Sequence, residues 1–183
     1  MANDGAPMEP EILRALDAFN AVRKGAPADL PLLDMIIRGL WLGLDDARNG
    51  GTKLFIATAH MRLAAALRLR AEQGDSSTRR EIYVEALEQA RFGRDVAIER
   101  ATENGVTDLI TTIYVMATHE AGLIATALGE MDASASGTAL LAEAAAWLGE
   151  AGAGYRRLER THEASKAEFM AVAARALHAL RGL

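Results

Sequence analysis

Apolar residues recur along this chain at spacings of three and four, and turn residues interrupt them at helix-length intervals. Residues 9–24 carry Ile12, Leu13, Leu16, Phe19 and Val22 on one stripe and stop at Gly25-Ala26-Pro27. A second segment runs from Leu30 or Pro31 to about Arg48, with Asp29 placed to cap it and Asn49-Gly50-Gly51 to end it. The third spans Thr52 to about Gln73. The fourth opens near Ser77 or Thr78, where Glu81 completes a capping-box spacing, and closes at Asn104-Gly105. Thr107 caps a fifth that reaches Leu128. Ser134 or Ser136 opens a sixth, ending near Glu150, and a seventh runs from about Tyr155 to Leu180. No stretch alternates as a half-buried strand does. The pattern predicts an all-α protein of about seven helices. Connections this short make successive helices antiparallel neighbours.

Thr52-Lys53-Leu54 and Thr107-Asp108-Leu109 each follow a glycine-containing turn and each open a long helix. Hairpins repeated in this way stack, because one hairpin cannot bury its apolar face alone. The passage from Ala121 through Leu128-Gly129-Glu130 and on through Leu140-Leu141-Ala142-Glu143-Ala144 resembles a tetratricopeptide-type hairpin, and residues 54–74 with 83–101 resemble one more loosely. The unit here is longer than the family's, and the closing proline and the family's Trp–Leu–Gly–Tyr register are missing. What the resemblance implies is stacked antiparallel hairpins, as a TPR-like solenoid or a closed helical bundle, presenting a groove to a protein or peptide. Residues 1–8 are expected to form a flexible tail and 9–183 a single all-helical domain.

Composition agrees with this picture. Of 183 residues 38 are alanine, cysteine is absent, and the formal net charge is −5. Disulfides and cysteine metal sites are excluded. The acidic balance disfavours nucleic acid as a partner, and no basic recognition helix can be read. The apolar block from Leu109 to Leu128 is long enough to span a bilayer, but His119 and Glu120 lie at its middle, so no membrane insertion is expected. The N-terminus has neither the basic nor the apolar stretch of a secretion signal, which makes the cytoplasm the expected location.

The second helix is apolar nearly all round, with Asp34 and Arg38 as an i,i+4 pair. Leu40, Trp41 and Leu44 are therefore candidates for a homodimer or partner surface. On the fourth helix, Ala86, Ala90, Gly93 and Ala97 line one face and predict a close helix crossing; Gly39 and Gly43 offer another.

Candidate chemistry is sparse. His60 falls in the stripe Ile56, His60, Leu63, Leu67, and His119 sits beside Glu120 in the most apolar helix. His162 falls in the seam Leu158, His162, Ser165, Phe169, Val172, Ala176, Leu180. Convergence of His60, His119 and His162, with Glu120 or Glu159, would make a divalent-metal or acid–base site. Glu159 and His162 have the Glu-x-x-His spacing of helical carboxylate metalloproteins, though no second such pair exists. The plainer expectation is that each histidine is satisfied locally and that Glu120 pairs with an arginine. Arg62, Arg68, Arg70, Arg79 and Arg80, interspersed with acids, read as a mixed solvated surface. Asp45-Asp46 at a helix end reads as solvated acids. The expectation is a non-catalytic peptide-binding or scaffold module without a cofactor. The alternatives are a helical metal-binding protein or enzyme built on the buried histidines, and a regulator that binds a small apolar ligand.

Overall fold

The computed structural model describes residues 9–181. Seven helices and no strand make up the described residues: α1 (Pro10–Arg23), α2 (Leu30–Gly50), α3 (Lys53–Gln73), α4 (Ser76–Asn104), α5 (Asp108–Met131), α6 (Ala135–Arg157) and α7 (Thr161–Arg181). The tail assigned to residues 1–8 lies outside the described residues.

Local chemistry sets most boundaries. The side chains of Asp29, Thr52, Thr107 and Ser134 accept hydrogen bonds from the first turns of α2, α3, α5 and α6. Gly25 and Gly105 adopt the positive φ that ends α1 and α4. Three boundaries differ most from the sequence reading, one of them the end of α5, which runs on past Leu128 through Gly129 to Met131. α4 begins at Ser76 behind Asp75, whose side chain makes no cap bond, so neither Ser77 nor Thr78 is the cap. The last two helices meet at Leu158–Arg160, where Glu159 takes φ 58°. There Glu159 N donates to Arg156 O and Arg160 N to Tyr155 O, closing α6 without glycine or proline. Tyr155 therefore belongs to α6.

Each helix packs antiparallel on the next. Ala15 meets Gly39, Lys53 pairs with Glu99 and Glu103, Ala97 packs with Ile113, and Leu148 lies on Gly122. In addition the backbones of α3 and α5, and of α5 and α7, approach one another, while α4 reaches α6 through the side-chain pairs Arg91–Glu143 and Arg94–Glu150. Among the odd-numbered helices α3, α5 and α7 thus approach one another and form an inner layer. The architecture is a stack of antiparallel hairpins.

Packing is close because the crossings are made of alanine and glycine. Ala86, Ala90 and Ala97 are buried, and a Cβ on Gly93 would stand 3.1 Å from the Ala57 carbonyl and 3.2 Å from the Met61 nitrogen of α3. The second glycine face, Gly39 and Gly43, is covered by Ala15 and Ile12 of α1. This overturns the exposed partner surface read on α2. Leu40 and Leu44 are core residues of the chain itself, and Trp41 is half-buried against the same core. The physical reason is that α1 and α3 pack on α2 and cover the faces that carry Leu40 and Leu44. Asp34 bonds Arg70 of α3 at 2.7 Å and makes no ion pair with Arg38.

The seam on α7 is also corrected. Its buried residues are Ala164, Ala167, Ala171 and Ala174, while Phe169 is 72% exposed and Val172 and Leu180 are exposed with it. α6 presents Ala151 and Gly152 at this crossing, with Gly152 backed against Glu168 and Ala164, and only small residues fit there. No helix among the described residues is long and apolar enough to cross a membrane.

Candidate functional site

The histidines singled out by pattern do not converge. His60 is buried between α3 and α4, where its Nδ1–H donates to Gln89 Oε1 at 2.7 Å and its ring stacks on Phe92 with centroids 5.6 Å apart. Burial pushes its pKa down despite that hydrogen bond. His60 is a satisfied core group. His162 is exposed on the first turn of α7. Glu159 is exposed too and lies in the link before α7, so the Glu-x-x-His spacing does not fall within one helix. Among the described residues, no three His, Asp or Glu side chains are grouped as a metal ion requires.

His119 and Glu120 do sit in a structured polar cluster on the inner layer. The register of α5 on α6, set by Val115 against Gly154 and Gly122 against Leu148, brings Tyr155 beneath His119. The Tyr155 hydroxyl lies 3.2 Å from His119 Nδ1, and the rings meet edge to face with centroids 5.5 Å apart. His119 Nε2 is buried and has no hydrogen-bond partner among the described residues.

Burial disfavours the charged form of both rings. Burial lowers the His119 pKa; the Glu120 carboxylate opposes this, and the charges of Arg68, Lys166 and Arg23 reinforce it. Burial raises the Tyr155 pKa to about 12, with Glu120 adding to the rise and Arg23 and Arg160 opposing it. Glu120 turns away from the rings to α3, where it accepts from Arg68 Nε at 2.7 Å; Arg68 also bonds Glu72. Burial alone would weaken the Arg68 charge, but these two carboxylates outweigh it and hold the guanidinium protonated. Arginine pairing of Glu120 is what the sequence suggested. Tyr155, Arg23 and Lys166 were not singled out there, because only the hairpin register unites residues so distant along the chain.

A second feature lies at the far end of α4 and the start of α5. Ala97, Ile98, Ala101, Thr102, Val106, Ile110, Thr111 and Tyr114 line a cleft of about 450 Å³, with Arg157 at its edge. The lining is mainly apolar, and Ile98 and Val106 stand exposed at the rim. Tyr114 closes one side: its hydroxyl donates to Glu150 and accepts from Arg94 Nη2 at 3.2 Å, with the Arg94 guanidinium over its ring. Arg157 makes no hydrogen bond or ion pair among the described residues.

Compared with known proteins, the chain matches no family model, no curated protein and no solved structure.

Proposed function

We propose that this chain is a non-catalytic binding module whose hairpin stack holds an apolar segment of a partner protein in the α4–α5 cleft. The observation that carries the reading is the cleft itself: an open, apolar concavity rimmed by exposed Ile98 and Val106, with an uncommitted guanidinium at its edge. Exposed apolar area gathered around a concavity favours association, and one charged group at the rim orients the bound segment. The tetratricopeptide-like hairpins implied by the sequence support the same function. An enzyme or metal protein built on His60, His119 and His162 has no such support, since their imidazoles lie in separate surroundings. A small apolar ligand is the competing occupant, because 450 Å³ falls within the range of small-molecule pockets.

Selection of displayed random peptides on the immobilised full-length chain tests the reading. Enriched peptides should share apolar anchors at helical spacing, and Ile98→Asp and Val106→Asp should each weaken them about tenfold or more. If no peptide is enriched while an apolar dye binds in the cleft and is lost in the same variants, the occupant is a small molecule and the peptide reading fails.

A further inference from the structure

The surplus apolar surface that the sequence suggested on α2 lies instead on α7. This helix turns Ala164, Ala167, Ala171 and Ala174 inwards, packing on α6 and approaching α5. Nearly opposite that buried seam runs a second one. Ser165, Phe169, Val172 and Ala176 follow at steps of four, three and four, with Leu180 one turn on, and all five are exposed. No α7 residue lines the α4–α5 cleft, so this face stands apart from it. The outermost element of a helical stack normally shows water a polar face, and an apolar stripe there marks an interaction surface. Steps of four and three are the heptad spacing by which one helix packs along another.

Charge on the flank of the stripe selects the occupant. Glu168 and Arg175 stand one heptad apart there, at g positions if Phe169 is an a position. Glu168 bonds Arg156 and is still partly exposed, and Arg175 is exposed. In a parallel pair of α7 helices the g positions would face Ala173 and Leu180, which offer no counter-charge. In an antiparallel pair Glu168 meets the partner's Arg175, and by symmetry Arg175 meets the partner's Glu168. The same register sets Phe169 on the partner's Val172 and Ser165 on the partner's Ala176. Large residues then fill the layers nearest the two-fold axis and small ones the layers outside them.

We propose that the outer face of α7 pairs with the same face of a second copy of this chain, antiparallel about a two-fold axis between Phe169 and Val172. One helix from each copy makes a small interface, of the weak and transient class. Association is therefore micromolar or weaker: the chain is monomeric when dilute and pairs when concentrated.

Analytical ultracentrifugation of the full-length chain over a concentration series tests this. A reversible monomer–dimer equilibrium is expected, with Phe169→Glu and Val172→Glu each raising the dissociation constant about tenfold or more. Both side chains are exposed in the single chain, so circular dichroism and melts of dilute samples should stay unchanged. Arg175→Glu, which sets like charges against the partner's Glu168, should raise the constant about threefold or more. The chain has no cysteine, so single cysteines report the register directly. A mixture of Ser165→Cys and Ala176→Cys chains should be joined into heterodimers by a short bismaleimide. Neither variant alone should be joined to itself, because each position stands about 16 Å along the helix from its own mate across the axis. Monomer at every concentration would overturn the proposal, and binding of that monomer to phosphatidylglycerol vesicles would give the face to a membrane surface. Joining of Ser165→Cys to itself would overturn it by making the helices parallel. A dimer indifferent to Phe169→Glu and Val172→Glu would overturn it by placing the interface elsewhere.

Discussion

The guanidinium of Arg68 and the carboxylate of Glu120 meet at 2.7 Å across the contact between α3 and α5, with side-chain exposures of only 18% and 13%. This ion pair joins one hairpin to the next within the inner layer. A partly buried pair of this kind is costly to break from one side, because the surviving charge loses its partner while remaining dehydrated. Glu120→Gln should therefore lower stability by about 1–3 kcal/mol in urea unfolding. Glu72 still neutralises Arg68, which keeps the loss towards the lower end. The double variant Arg68→Met/Glu120→Leu should recover most of it; a double variant as unstable as the sum of the singles would contradict this account.

Stability should fall on mild acidification. His60 and His119 both have pKa values below that of a free imidazole, burial being the main cause. The unfolded chain then takes up protons at about pH 6.5 that the folded chain refuses. Stability is thus fully present above that pH and is lost as pH falls through 6.5 towards the lower folded values, with a slope bounded by about 1.4 kcal/mol per pH unit for each ring. Urea midpoints measured between pH 7.5 and 5 should show the decline, and His60→Gln should flatten it.

At the alkaline end the phenol of Tyr155 should be the last to ionise among the three tyrosines. Its pKa stands at about 12 because burial and the nearby Glu120 carboxylate oppose the phenolate. An ultraviolet titration of the wild type against Tyr155→Phe isolates it. The same shift means that stability is present below about pH 10 and is lost as pH rises towards 12.

Glycines should respond in opposite directions to the same change. Gly149 has open space where a Cβ would go, so Gly149→Ala should stabilise α6 by about 0.5–1 kcal/mol. At Gly93 the neighbours are backbone atoms of α3, which cannot rotate away. Gly93→Leu should destabilise by about 1–3 kcal/mol or more as the α3–α4 crossing is forced open. Thermal melts of the two variants decide the matter; a stable Gly93→Leu would refute the close crossing.

On α7, large and small residues should exchange their usual importance. Phe169→Ser should change stability by less than about 0.5 kcal/mol, since the ring is mostly in solvent. Ala171→Leu should cost about 1–3 kcal/mol, because that position is fully buried against α6.

Helix count, most caps and the close crossing at Gly93 were legible in the sequence, because each depends on residues within a few turns of one another. Asp29, Thr107 and Ser134 cap what they precede, and the alanine–glycine face of α4 announces a near neighbour whichever helix supplies it. The break at Glu159 was not legible, because it rests on a left-handed backbone at a residue that rarely adopts one. Nor was the buried face of α7. Hydrophobicity names Phe169, Val172 and Leu180, but the space left by Ala151 and Gly152 admits only alanine. Leu40 and Leu44 looked like surplus apolar surface until α1 and α3 were seen to enclose them. The sequence determined which residues are helical, since that is a matter of local propensity and capping. The tertiary structure alone decided which faces meet, and so that Tyr155 stands under His119 and Arg68 against Glu120, because the packing of small residues at each crossing sets the register between helices.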